Sequence, residues 1–133
     1  MNFEFKAFRK VMEKIIVKHG RTSVEEFFKK DEVSIRIEQD SFLPFVVEKA
    51  GDMLFIGFYR KQNGDLISDP VFVFQVKNDI WYPIRLEQAM GDTMFGMFDE
   101  DGSYLYKPHT TKSVKSFATD CSKEWKIYFL DED

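Results

Sequence analysis

The 133-residue chain predicts an α+β domain: N-terminal helices, a central, mostly antiparallel sheet, and a C-terminal helix packed on that sheet. Three observations carry the prediction. Apolar residues recur every three or four positions from Phe5 to Ile16, and again from Val114 to Trp125, the period of an amphipathic helix. Between these stretches the period drops to two, with turn-forming pairs separating the runs. Helices set apart from strands along the chain, rather than alternating with them, imply a meander covered by helices on one face.

Phe5, Phe8, Met12, Ile15 and Ile16 form one stripe on a first helix of about four turns. His19-Gly20 closes it, with glycine expected to supply the left-handed residue. Ser23-Val24-Glu25-Glu26 reads as a capping box opening a short second helix, with Val24, Phe27 and Phe28 inward. Val33, Ile35 and Ile37 alternate with Ser34, Arg36 and Glu38 as a strand wet on one face. Phe45-Val46-Val47 makes another strand, and residues 53–61 and 71–77 are apolar enough on both faces to be central. Residues 81–88 continue the meander, with Pro83 confined to an edge or bulge. Strands over residues 93–98 and 103–107 flank a hairpin loop, Asp99-Glu100-Asp101-Gly102. From about Thr111, the residues Val114, Phe117, Ala118, Cys121 and Trp125 share one helix face, which Tyr128 and Phe129 extend.

Composition narrows the function classes. Fifteen Phe, five Tyr and two Trp in a chain 44% apolar supply the core of one domain spanning residues 1–133, with no repeat or linker. At this length, folding buries about two-thirds of the chain's surface, so neither a metal nor a disulfide is needed. The single cysteine, Cys121, excludes an internal disulfide and a multi-cysteine zinc site. No apolar run approaches the roughly 18 residues of a membrane span, so a soluble, cytoplasmic protein without membrane contact is expected. The net charge of −4 is uneven: residues 1–30 hold eight Lys/Arg against four Asp/Glu, and the remainder eleven against nineteen. A basic first helix either solvates itself or faces an acidic partner.

The segment Gln62-Asn63-Gly64-Asp65-Leu66, followed by Asp69-Pro70, gathers two carboxylates and two amides between two strands. Asn63-Gly64 tolerates the positive φ of a hairpin turn. Tyr59, Gln62, Asn63, Asp65, Asp69, Trp81, Tyr82 and Gln88 are therefore the candidate binding residues, aromatics as anchors and polar groups as register.

These residues carry a resemblance. Phe45-Val46-Val47-Glu48, Tyr59, the Q-N-G-D-L-x-x-D-P core, Trp81-Tyr82-Pro83, Gln88 and a closing-helix pair Phe117 and Trp125 stand in the order of a family. The chain resembles small uncharacterised domains carried by plasmids, integrative conjugative elements and phages. The resemblance covers residues from about Ile35 to Phe129 and implies a mobile-element setting without an established activity. That family often places a histidine before the strand tyrosine; Phe58 stands there in this chain, so any role of that imidazole is absent.

Catalytic chemistry finds little support. Glu48, Asp65 and Asp69 are the one carboxylate set worth testing for a divalent cation or a metal-dependent hydrolase, although Asp65 and Asp69 also serve as turn residues. His19 and His109 have no partner at ligand spacing. Cys121 lies on an apolar stripe with no activating neighbour. No nucleotide-binding glycine loop, nucleophile elbow or zinc motif occurs, and no cofactor is expected. Tyr59, Arg60, Lys61, Trp81, Tyr82 and Arg85 would be the face of a single-stranded nucleic-acid binder, but nearby carboxylates oppose it. The expectation is a non-enzymatic accessory protein of a mobile element that binds another protein, with inhibition of a host defence system as a variant and homodimer formation open.

Overall fold

A computed structural model describes residues 2–39, 42–62 and 65–131. The elements follow the expected order. Helices α1 (Lys6–Gly20) and α2 (Val24–Lys29) precede strands β1 (Glu32–Gln39), β2 (Phe42–Ala50), β3 (Met53–Gln62), β4 (Asp65–Lys77), β5 (Ile80–Glu87) and β6 (Thr93–Met94). A two-stranded ribbon, β7 (Gly96–Phe98) and β8 (Tyr104–Tyr106), leads into α3 (Pro108–Phe129). The six-stranded sheet is a sequential antiparallel meander, β1-β2-β3-β4-β5-β6.

The stripe read from the sequence is the buried face of α1: Phe8, Met12, Ile15 and Ile16 are inaccessible. They meet the alternate residues of the strands, Phe45 and Val47, Leu54 and Ile56, Phe72 and Phe74. α3 adds Val114, Ala118, Trp125 and Phe129 to the same core. Trp125 is its hub, with ring centres 5.9 Å from Phe8, 5.0 Å from Phe45, 5.5 Å from Phe58 and 6.0 Å from Phe72. Each such ring contributes about 1.5–3 kcal/mol by leaving water. The opposite sheet face, with Val46, Phe55, Tyr59 and Val73, carries no helix.

Helix ends explain how α1 and α3 lie together. Gly20 is the last helical residue of α1, and Arg21, at φ 51, takes the left-handed position expected of glycine. Gly20 serves a different purpose: a Cβ there would lie 2.6 Å from Ile35 Cδ1, so its lack of a side chain lets α1 close on β1. Where α1 ends, α3 ends too, since His19 Nε2 donates to the Phe129 carbonyl at 2.8 Å. About two turns into α3, Lys115 Nζ donates to the carbonyl of Asn2, which precedes α1, at 3.2 Å. The two helices therefore run side by side in the same direction. Ser23 caps α2 as the box predicts, its hydroxyl accepting from the Glu26 N–H at 3.0 Å. The buried Lys49 donates from Nζ to the Lys30 carbonyl just past that helix.

Besides a register shift between β1 and β2 at Ile37/Gln39, two irregularities lie deeper in the sheet. The β3–β4 register steps from Gly57↔Val71 to Tyr59↔Ser68, so Phe58 is opposed by both Asp69 and Pro70. Between β4 and β5 the register shifts at Val73/Phe74, and Pro83 sits there, beyond the two residues of β5 that pair with β6. That is the bulge and edge a proline requires. The single strand expected over residues 93–98 is broken at Phe95. Its N–H donates to Ile84 O while its carbonyl accepts from Lys107 N, at 3.0 and 2.8 Å, which folds the ribbon away from the sheet. The loop after β7 is built as expected: Asp99 Oδ1 accepts from the N–H groups of Asp101 and Ser103. α3 starts at Pro108, which with Thr110 marks the helix entry in the sequence, since proline suits the first helical position, and its buried stripe begins at Thr111.

Candidate functional site

The candidate residues do not form one surface. Gln62 and Asp65 are the pair that closes β3 onto β4, and Asn63-Gly64 between them lies outside the described residues. Tyr82 pairs with Gln75, ten residues further along β4 than Asp65, about 30 Å at roughly 3.3 Å per residue. Trp81 faces the core and is 3% exposed. It packs on Phe28 and Phe74 and beneath the Arg9 guanidinium, 5.0 Å from the ring centre. It is a core residue, not an exposed anchor, because period two turns every second residue of β5 inward. Tyr82, on the other face, is taken up by stacking on Phe3 at 5.2 Å, by an edge contact with Phe98 and by a tilted contact with Tyr104. Gln88 is exposed and opens the turn after β5, its carbonyl accepting from Gly91 N.

Tyr59 and Glu48 lie on the helix-free face with Arg85 and Glu87, where Arg85 Nε donates to Glu87 Oε2 at 2.8 Å. Burial, then the charges of Glu87 and Glu48, push the Tyr59 phenol well above its ordinary range, and Arg85 partly offsets them. Tyr59 is thus a neutral hydroxyl at physiological pH. Asp69 opens toward α3 instead. Glu48 and Asp69 are on opposite sides of the sheet, so they assemble no shared carboxylate cluster. Among the described residues no three His, Cys, Asp or Glu side chains converge as metal ligands. The proposed single-strand face is divided in the same way, with Trp81 inside the core.

Asp69-Pro70 meets the other half of the sequence pattern, Phe117 and Trp125, in one place. A groove of about 320 Å³ runs between α3 and the sheet, lined by Leu43, Phe58, Asp69, Pro70, Phe117, Cys121, Glu124, Trp125 and Tyr128. The β3–β4 irregularity builds its floor, since it sets Asp69 and Pro70 across from Phe58. α3 builds its wall with two stripes rather than one. Thr111, Val114, Ala118, Ser122, Trp125 and Phe129 are buried. Phe117 and Tyr128, with Cys121 and Glu124, form a second stripe on the adjoining flank, where Phe117 and Tyr128 are 37% and 53% exposed. Phe117 is held at 5.7 Å from Phe72.

Leu43, Phe58, Phe117, Glu124 and Tyr128 are not among the residues that sequence reasoning selects. Their signal is nonetheless present: α3 carries more aromatic residues than one buried face accommodates. Cys121 stands in the groove wall, where burial first, then the charges of Glu124 and Asp120, push its thiol up to about 12. At neutral pH it is a small apolar lining group. The groove therefore offers aromatic faces with carboxylates among its lining residues.

No helix among the described residues is long and apolar enough to cross a membrane. No curated protein and no solved structure matches the chain. A family model described as a domain of unknown function, DUF6908, matches residues 10–125, and the chain belongs to that uncharacterised family.

Proposed function

We propose that this chain is a non-enzymatic protein-interaction module whose partner docks in the groove between α3 and the sheet. The observation that supports it is the half-exposed stripe of Phe117 and Tyr128 beside Trp125 and Phe58. These rings line a cleft where interface anchors are expected to be aromatic. Glu124 in the groove lining favours one kind of occupant: a partner segment that brings an apolar anchor and, next to it, a basic side chain. Cation–ring and charge contacts of that kind add about 0.5–2 kcal/mol each. The accessory role in a mobile element, and inhibition of a host defence system within it, rest on the motif resemblance.

A phage-displayed peptide library panned on the protein tests the groove. Selected peptides are expected to pair an aromatic or branched apolar residue with Arg or Lys, and to lose binding to a Phe117→Ala/Tyr128→Ala variant that remains folded. Peptides that bind this variant as well as the parent would remove the groove from consideration. Conjugation and plaque assays with and without the protein in restricting hosts test the defence-inhibitor variant.

A further inference from the structure

The helical layer carries a second surface, independent of the groove. α1 and α3 lie parallel, tied through Lys115, about two turns into α3, and Asn2 ahead of α1, and at their ends through His19 and Phe129. At about 100° per residue, Lys10, Lys14 and Lys18 climb the outer side of α1 toward the flank that faces α3. The opposite flank is the one whose Arg9 bonds Asp79. By the same rotation Lys112, Lys115, Lys123 and Lys126 lie on the outer side of α3 toward α1, away from the stripe of Phe117, Cys121 and Tyr128. The other acids of the two helices are mostly elsewhere. Glu13 pairs with Arg9 on the far flank and Glu124 lines the groove, while Asp120 is exposed on the outward side of α3, about 60° from Lys123 by the same rotation. Lys10, Lys14, Lys112, Lys123 and Lys126 are exposed, and none pairs with a carboxylate among the described residues.

We propose that this lysine-walled crevice binds the phosphate backbone of a single nucleic-acid strand without reading its sequence. On α1 the lysines recur every four residues, about 6 Å apart, while on α3 they form two pairs, Lys112/Lys115 and Lys123/Lys126, separated by about 12 Å, and the 15 residues of α1 give the crevice a length of about 22 Å. Lysine is a point-charge partner for phosphate, whereas the cores of protein interfaces are depleted in it. That contrast favours a strand over an acidic protein. The ring that stands with these lysines is Tyr106, beside Lys112 and Lys115 at the first turns of α3, so the contact along the rest of the rows is with the backbone. The net charge of −4 opposes the approach of a polyanion, and binding is therefore confined to low salt.

Fluorescence anisotropy of the full chain with a labelled oligothymidylate tests this, with poly-glutamate of equal charge as the comparison. Binding is expected at low salt and falls about fiftyfold on a fourfold rise in salt if four phosphates are neutralised at roughly 0.7 each. Lys14→Gln and Lys126→Gln, one from each wall, each lower the salt slope by about 0.7, while Lys29→Gln on α2 and Phe117→Ala in the groove leave it unchanged. No anisotropy change at low salt overturns the inference. So does poly-glutamate binding as tightly as the oligonucleotide, or a Lys29→Gln variant that loses as much as the crevice variants.

Discussion

Gly57 is the residue on which the groove floor depends, and Gly57→Ala tests that dependence. Gly57 lies in β3 between Val46 of β2 and Val71 of β4, at φ 155, in a region that side chains avoid. An added Cβ would lie 2.0 Å from the Pro70 carbonyl oxygen and 2.8 Å from Val71 Cα, both backbone atoms that no rotamer change can move. β4 must retreat by 1 Å merely to reach 3.0 Å, below which real Cβ atoms essentially never sit. Ladder hydrogen bonds near 2.9 Å do not survive that retreat. Losing two costs about 2 kcal/mol, and the strained φ adds about 1–3 kcal/mol. The expected loss of about 3–5 kcal/mol is a large share of the roughly 5–15 kcal/mol that a domain has. Urea unfolding followed by tryptophan fluorescence measures it, with an unchanged m-value showing that the same surface is exposed. Gly51→Ala is the control. Gly51 has φ 61, but a Cβ added there would meet nothing within 4 Å, so only about 1 kcal/mol is expected. A Gly57→Ala loss no greater than that of Gly51→Ala would refute the claim that β4 presses on Gly57.

Three further outcomes are expected. Cys121, with its thiol raised to about 12, resists iodoacetamide in the native protein at neutral pH, and Glu124→Gln speeds the reaction because removing a negative neighbour lowers the thiol's pKa; native alkylation as fast as in urea would contradict this. Ser23→Ala removes the cap on Glu26 N–H and lowers stability by about 1 kcal/mol in a denaturant titration, whereas no loss would mean that α2 is held by Phe27 alone. Arg9→Ala removes two bonds to Asp79 and the cation over Trp81, lowering stability by about 1–2 kcal/mol and shifting Trp81 emission; an unchanged spectrum would contradict that stacking.

What is legible in the sequence is periodic. The stripe of Phe8, Met12, Ile15 and Ile16 and the alternation of Val33, Ile35 and Ile37 appear in the structure as read, because a single buried face imposes a single period. The break at Phe95 is not legible. The alternation continues through residues 93–98, and only the long-range bonds to Ile84 and Lys107 divide the strand. The polar corner is misplaced by sequence for a related reason: closeness in sequence across two hairpins says nothing about which end of a 13-residue strand a neighbour meets. Trp81 has the residue type of an anchor, yet its register position next to Val76 sends it into the core.

The groove is half written in the same pattern. The period puts Phe117 and Trp125 on one stripe, but residues eight apart on a helix are separated by about 80°, enough for one to be buried and the other to border a cleft. The residues that break local expectation converge there: exposed aromatics on α3, the doubled pair Asp69-Pro70 opposite Phe58, and a glycine in mid-strand beside them. Natural chains carry such departures from local rules mostly where function requires them. α3 also sorts its charges in part: Glu124 lines the groove with those aromatics, while Lys115 and Lys126 lie toward α1. A groove acid beside exposed rings is what the proposed partner, with its apolar anchor and basic neighbour, would require.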